Sequence, residues 1–118
     1  MRLLFFLFFV FWPFAERVFA QPLVINEVMA SNQHTLADAA GDYDDWVEVF
    51  NGGASPVQMA GMYWSDNPRA PFKWRIPADD PAATEIQPGG YLLFWFDGRP
   101  EEGVLHTSFK LNADGEHV

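Results

Sequence analysis

Four aspartates lie within eight residues ahead of a predicted strand, at positions Asp38, Asp42, Asp44 and Asp45. Calcium takes about six to eight oxygen ligands, and clustered carboxylates on a flexible loop commonly supply several of them. The spacing is not that of an EF-hand, which needs alternating acidic positions, a glycine and a final glutamate. The segment therefore predicts a calcium site formed by these four residues. The alternative is a solvated turn in which Asp44 or Asp45 caps the beginning of the strand.

Two glutamates lie inside predicted strands, Glu27 in the first and Glu48 in the second. Strict alternation places Glu27 on the same face as Ile25 and Glu48 on the same face as Trp46. A carboxylate among apolar neighbours holds its proton more tightly, and two such groups could act as the acid and base of glycoside hydrolysis. We favour a structural role instead, with each glutamate buried and hydrogen-bonded to backbone or to Arg75.

The remaining candidate catalytic residues form no recognisable set. His34, His106 and His117 lie on separate segments without the spacing of zinc ligands. Residues 65–67 match the Ser-Asp-Asn triplet of β-lactamases, but the companion motifs are missing and the stretch is a good turn. The absence of cysteine excludes thiol chemistry and cysteine metal sites. The sequence predicts a module with no catalytic residue of its own and no cofactor apart from calcium.

Short extended segments must position these residues. Runs of β-branched and aromatic residues bounded by Gly, Pro, Asn and Asp predict strands at residues 23–29, 45–51, 57–59, 61–65, 72–76, 84–87, 91–96 and 104–111. No segment shows a long helical period. Turn residues at intervals of about 8–12 positions indicate a small β-sandwich, and about 100 residues is the size of an immunoglobulin-like one.

Aromatic residues supply most of the predicted core, and we assign structural roles to Trp46, Trp74 and Trp95. The strand at residues 91–96 is the most apolar and is predicted to be central. Both of its faces are apolar, so one meets the opposite sheet and the other needs a cover. That cover is a loop, a neighbouring domain or a carbohydrate stacked on tryptophan.

The first 20 residues read as a secretory signal peptide, a short apolar helix that is removed before residues 21–118 fold as one domain. Removing Arg2, Arg17 and Glu16 leaves five basic and fifteen acidic residues, a net charge of −10. Nucleic-acid binding depends on Lys and Arg that neutralise phosphates, so this charge argues against nucleic acid as a partner. We predict a secreted, periplasmic or cell-surface protein without membrane contact after cleavage.

An ordered series of segments resembles the lamin tail domain family. The segments are residues 23–32 (LVINEVMASN), 45–51 (DWVEVFN), 61–66 (GMYWSD), 73–77 (KWRIP), 86–91 (IQPGGY), 105–111 (LHTSFKL) and 115–118 (GEHV). The resemblance implies an immunoglobulin-like sandwich without a catalytic site of its own. In bacteria such domains occur in exported proteins, beside kinase-like spore-coat domains or nucleases. The family's last strands are expected to continue past Val118.

These observations predict an exported, non-catalytic module that binds a protein or cell-surface partner and contacts a further domain of the same protein. Two alternatives stay open. One is an accessory domain of a larger exported enzyme of the spore-coat kinase or nuclease type. The other is a module for calcium-dependent adhesion.

Overall fold

Short antiparallel strands form most of the regular structure of this protein. The computed structural model describes residues 22–111, so the predicted signal peptide and the segment 115–118 lie outside the described residues. The strands are β1 (Leu23–Met29), β2 (Trp46–Asn51), β3 (Val57–Gln58), β4 (Tyr63–Trp64), β5 (Trp74–Arg75), β6 (Glu85–Ile86) and β7 (Tyr91–Trp95). A short 3₁₀ turn spans Pro100–Glu102. The predicted all-β class is confirmed for this part of the chain, in which no helix has the length and apolarity to cross a membrane.

The largest sheet has three antiparallel strands in the order β1-β2-β7. β2 is therefore its central strand, and the prediction that residues 91–96 are central is wrong for the described residues. β7 pairs with β2 along one side, while its other side makes a single bridge from Trp95 to His106. The apolar character of β7 reflects burial of one face, since Phe94 is fully buried whereas Tyr91 is 57% exposed.

A β-bulge in β1 decides which way its side chains point. The register with β2 shifts between Ile25 and Glu27, so that Ile25 lies opposite Val49 and Glu27 lies opposite Glu48. Directly paired residues share a face of a sheet. Ile25 and Glu27 therefore lie on opposite faces, and the prediction of a shared face is wrong because the extra residue reverses the alternation.

The core lies on the face of the main sheet that carries Val47, Val49 and Phe94. Two small sheets, β3-β6 and β4-β5, contribute the other side of this core. The indole of Trp64 meets the rings of Phe94 and Phe96 edge-on, with centroid distances of 5.4 and 5.3 Å. The remaining members of the cluster are Met59, Trp74, Ile76, Ile86 and Leu111.

The three tryptophans with predicted structural roles lie in two different places. Trp74 is in the core cluster. Trp46 is 5% exposed but belongs to the opposite face of β2, where it pairs across the strands with the half-buried Trp95. Burial of the aromatic residues is thus divided between both faces of the main sheet.

The segment after β7 does not form the long strand predicted at residues 104–111. The chain turns at Pro100–Glu102 and then returns beside the end of β7. There Trp95 donates its backbone N–H to Leu105 O, and Thr107 donates its own to Trp95 O, both at 2.8 Å. This return holds residues 97–106 beside the beginning of β2.

Candidate metal centre

The strand register brings two loops together at one end of the main sheet. β2 begins at Trp46, and Trp46 lies directly opposite Trp95, where the antiparallel β7 ends. The chain before β2 and the chain after β7 therefore leave the sheet at the same point. A backbone hydrogen bond of 2.7 Å from Phe96 N–H to Asp45 O ties them together. As a result, the acidic loop at residues 38–45 faces residues 97–106.

The carboxylate of Asp38 organises the acidic loop. Its Oδ1 accepts the backbone N–H groups of Ala40 and Asp42, both at 2.9 Å. The loop closes through a backbone hydrogen bond from Asp38 N–H to Asp42 O, and Gly41 takes the left-handed conformation with φ of 88°. Asp38 is only 8% exposed, and its Oδ2 is buried without a hydrogen-bond partner.

Asp45 has a different task from the other three aspartates. Its Oδ1 accepts the backbone N–H of Asn32 at 3.1 Å. The buried Asn32 amide then donates to Leu36 O at 2.6 Å and to Asp44 O at 3.0 Å. Of the predicted calcium ligands, the structure thus brings Asp38, Asp42 and Asp44 together. The Asp45 carboxylate instead binds the backbone at Asn32.

The opposite loop adds two carboxylates and an imidazole. Asp97 is 1% exposed, and its Oδ1 accepts the backbone N–H of Arg99 at 2.9 Å. Its Oδ2 lies 2.5 Å from His106 Nδ1, and the same nitrogen lies 3.6 Å from Glu102 Oε1. Gly98, with φ of 73°, makes the tight turn between Asp97 and Arg99.

Two groups of potential metal ligands result, and Asp38 belongs to both. Ligand atoms of Asp38, Asp97, Glu102 and His106 lie within 4.8 Å of one another. The same holds for Asp38, Asp42 and Asp44. We call the first set the mixed cluster and the second the aspartate cluster.

Arg99 brings a positive charge into this region. Its Nη2 contacts the carboxylates of Asp44 and Asp42, the latter at 3.2 Å. Its Nε lies 2.9 Å from Glu102 Oε2, as an ion pair without the alignment of a hydrogen bond. Desolvation would lower the pKa of Arg99, but the surrounding carboxylates, Asp44 foremost, outweigh it and raise that pKa.

Burial and neighbouring charges both act on the pKa of Asp44. Burial is the main cause that raises the pKa of Asp44 above its ordinary value. The charge of Arg99 acts in the opposite direction, and the carboxylates of Asp97, Asp38 and Asp42 add to the rise. Burial is therefore the dominant influence on the pKa of Asp44, ahead of any single neighbouring charge.

Sequence reasoning missed the second half of this region, namely Asp97, Arg99, Glu102 and His106. His106 lies 68 positions after Asp38, so no local spacing connects them. The available indication was the pairing of the two strands, because antiparallel partners bring the loop before one strand to the loop after the other.

The predicted glutamate pair lies elsewhere, in the middle of the sheet. Glu27 and Glu48 face each other directly across β1 and β2. Glu27 is exposed, contrary to the expected burial, and Glu48 accepts a hydrogen bond from Asn26 Nδ2 at 2.9 Å.

Comparison with known proteins gives no relative. No family model matches the chain, and no curated protein or solved structure has significant similarity to it. The resemblance to lamin tail domains stays a prediction that rests on the ordered sequence segments alone.

Proposed function

We propose that this chain is an exported, non-catalytic β-sandwich module that binds a partner protein through the outer edge of β1. The observation that carries the proposal is the exposure of three apolar side chains on that strand. Val24 is 50%, Ile25 43% and Val28 45% exposed. Export is inferred from the N-terminal sequence, and the sandwich from the all-β fold together with the lamin-tail resemblance.

The outer edge of β1 can accept another strand. Among the described residues β1 pairs only with β2, so its other backbone edge is open over a seven-residue strand. Extended peptides add to such edges through main-chain hydrogen bonds, and side-chain pockets provide specificity.

A shallow apolar groove runs beside this edge. It has a volume of about 140 Å³ and lies between β1 and β4. Leu23 and Ile25 line one side, and Met62 and Tyr63 line the other. Every second side chain of an added strand would enter or border this groove.

The two glutamates on the opposite face of the sheet indicate which charge the partner strand carries. Glu27 and Glu48 are like charges placed directly opposite each other, an arrangement that destabilises a strand pair. Lys or Arg on the incoming strand would offset that repulsion. The proposed partner is therefore an extended protein segment in which apolar and basic residues alternate.

Selection of displayed random peptides on the purified protein tests this proposal. We expect the enriched sequences to alternate apolar residues with Lys or Arg. In ¹⁵N NMR spectra their addition should shift the amides of β1 more than those of β7. The variant Ile25→Lys should weaken their binding by about tenfold or more, since a charge in the groove opposes apolar contact.

Leu36→Lys is the matched control, because Leu36 is equally exposed at 42% but lies in the loop before β2. It should bind the selected peptides as tightly as the parent protein. Peptides that bind Ile25→Lys and the parent equally, or that shift amides away from β1, would show that β1 is not the binding edge.

A further inference from the structure

We propose that Asp38, Asp97, Glu102 and His106 bind one divalent transition-metal ion, with Zn²⁺ as the test ion. The site joins the acidic loop to the segment after β7, so it is separate from the β1 edge. Its four ligand atoms already lie within 4.8 Å of one another.

The strongest observation is the buried carboxylate of Asp38. Its Oδ1 is occupied by two backbone N–H groups, whereas its Oδ2 is buried and has no hydrogen-bond partner. Asp38 is only 8% exposed, and an unpaired carboxylate oxygen buried to this extent carries a large desolvation cost. A cation between Asp38 and the facing loop would supply the missing partner.

Arg99 decides between the two clusters. Its guanidinium contacts Asp42 and Asp44, which are the members of the aspartate cluster other than Asp38. A metal ion there would have to displace a fixed positive charge. In the mixed cluster the Arg99 guanidinium contacts Glu102 Oε2, and Glu102 Oε1 stays on the side of His106.

The ligand types decide the class of ion. Zn²⁺ and related transition metals accept imidazole nitrogen and carboxylate oxygen together. Calcium and magnesium bind oxygen ligands and make little use of imidazole. Three carboxylates and one histidine therefore favour a transition metal over the calcium that the acidic loop alone predicts.

An ion can reach the site from solvent. A cleft of about 310 Å³ opens beside the mixed cluster and is lined by Ala39, Ala40, Glu102 and His106. The two alanines leave the approach wide, and they follow directly after the ligand Asp38. His106 would bind the ion through a ring nitrogen that carries no proton, since imidazole binds metals in its neutral form.

Isothermal titration calorimetry with ZnCl₂ tests the proposal on the untagged protein after treatment with chelator and dialysis. We expect one Zn²⁺ per chain, a higher melting temperature with Zn²⁺ and weaker binding of CaCl₂. His106→Gln and Asp97→Asn should each weaken Zn²⁺ binding by about tenfold or more, because even supporting residues of metal sites have effects of this size.

Glu102→Gln tests the site even if the other two variants fail to fold, because Glu102 is exposed and its replacement leaves the core intact. It should fold normally and still bind Zn²⁺ less tightly. His34→Gln and Asp79→Asn are matched controls at exposed positions outside the cluster and should bind Zn²⁺ like the parent.

Three results would overturn the proposal. They are the absence of one-to-one Zn²⁺ binding, equal Zn²⁺ affinity in His106→Gln and the parent, and tighter binding of Ca²⁺ than of Zn²⁺. The last result would return the ion to the aspartate cluster.

Discussion

Asn51 is a fully buried polar side chain at the end of the central strand, and every polar atom of its amide is used. Its Nδ2 donates to Ser55 O at 2.8 Å and to Ile86 O at 2.9 Å, and its Oδ1 accepts Gly53 N–H at 2.9 Å. One side chain thus links β2 to the following turn and to β6. Buried polar networks of this kind specify a unique arrangement when every member is satisfied.

Replacing Asn51 with aspartate should destabilise the fold by about 2 kcal/mol or more, since the new carboxylate faces two carbonyl oxygens and donates to neither. Urea unfolding followed by tryptophan fluorescence measures the change. Gln87→Glu adds the same negative charge at an exposed position and serves as the control. Equal unfolding midpoints for Asn51→Asp and the parent would contradict the role assigned to this amide.

The sequence points to some residues of the candidate metal centre and misses others for a physical reason. Asp38, Asp42 and Asp44 are predicted together because they are neighbours in the chain. His106 is not predicted as a ligand because its partners are far away in sequence. The sequence predicts a calcium ligand at Asp45, and nothing local shows that its carboxylate accepts the Asn32 N–H. Local spacing reveals loops but does not reveal which loops meet.

At the scale of elements, the turn at Gly98 positions the second half of the candidate metal centre. Its φ of 73° is the left-handed conformation, which costs an L-residue roughly 1–2 kcal/mol. The turn allows Asp97 to accept the Arg99 N–H while Arg99 still reaches the opposite loop. The turn at Gly98 therefore sets the chain direction that places the Asp97 carboxylate and the Arg99 guanidinium.

Gly98→Ala should lower the free energy of unfolding by roughly 1–2 kcal/mol, as the methyl group strains this backbone conformation. Gly98→Asn should retain more stability, because asparagine tolerates the left-handed region better than alanine does. Chemical denaturation of the three proteins gives the order of stability. An alanine variant as stable as the parent would mean that the turn relaxes to an ordinary φ.

The sequence predicts the three longest strands close to their observed bounds but does not predict their pairing. The predicted strand at residues 23–29 has the observed bounds, and those at 45–51 and 91–96 each differ from β2 and β7 by a single residue. The bulge in β1 could not be read from the pattern, since Val24, Ile25 and Val28 suit either face. The segment 104–111 has the composition of a strand, but it turns back beside β7 and is held there by backbone hydrogen bonds. Such bonds do not depend on residue type, so the sequence does not reveal them.

Trp64 joins the small β4-β5 sheet to the main sheet, with Trp74 of β5 in the same core cluster. Its indole is 7% exposed and contacts both Phe94 and Phe96. With no cysteine in the sequence, apolar burial of this kind has to stabilise the fold without disulfides.

Trp64→Ala should therefore destabilise the protein by about 3–5 kcal/mol, the range for large-to-small changes of buried aromatic residues. Phe72→Ala is the control, because Phe72 is 73% exposed and its ring meets Tyr63 edge-on. That change should cost less than about 1.5 kcal/mol. Differential scanning calorimetry separates the two, and similar melting temperatures for both variants would place Trp64 outside the core.

The meeting of the two charged loops has a consequence for how the chain selects its alignment during folding. A slip of one residue between β2 and β7 would turn every side chain of β7 to the other face. It would also carry Arg99 and His106 about 3.4 Å along the sheet, away from Asp44 and Asp38. Misaligned pairings would thus lose their electrostatic contacts together with their apolar ones. The contacts between the two charged loops therefore favour the native strand register.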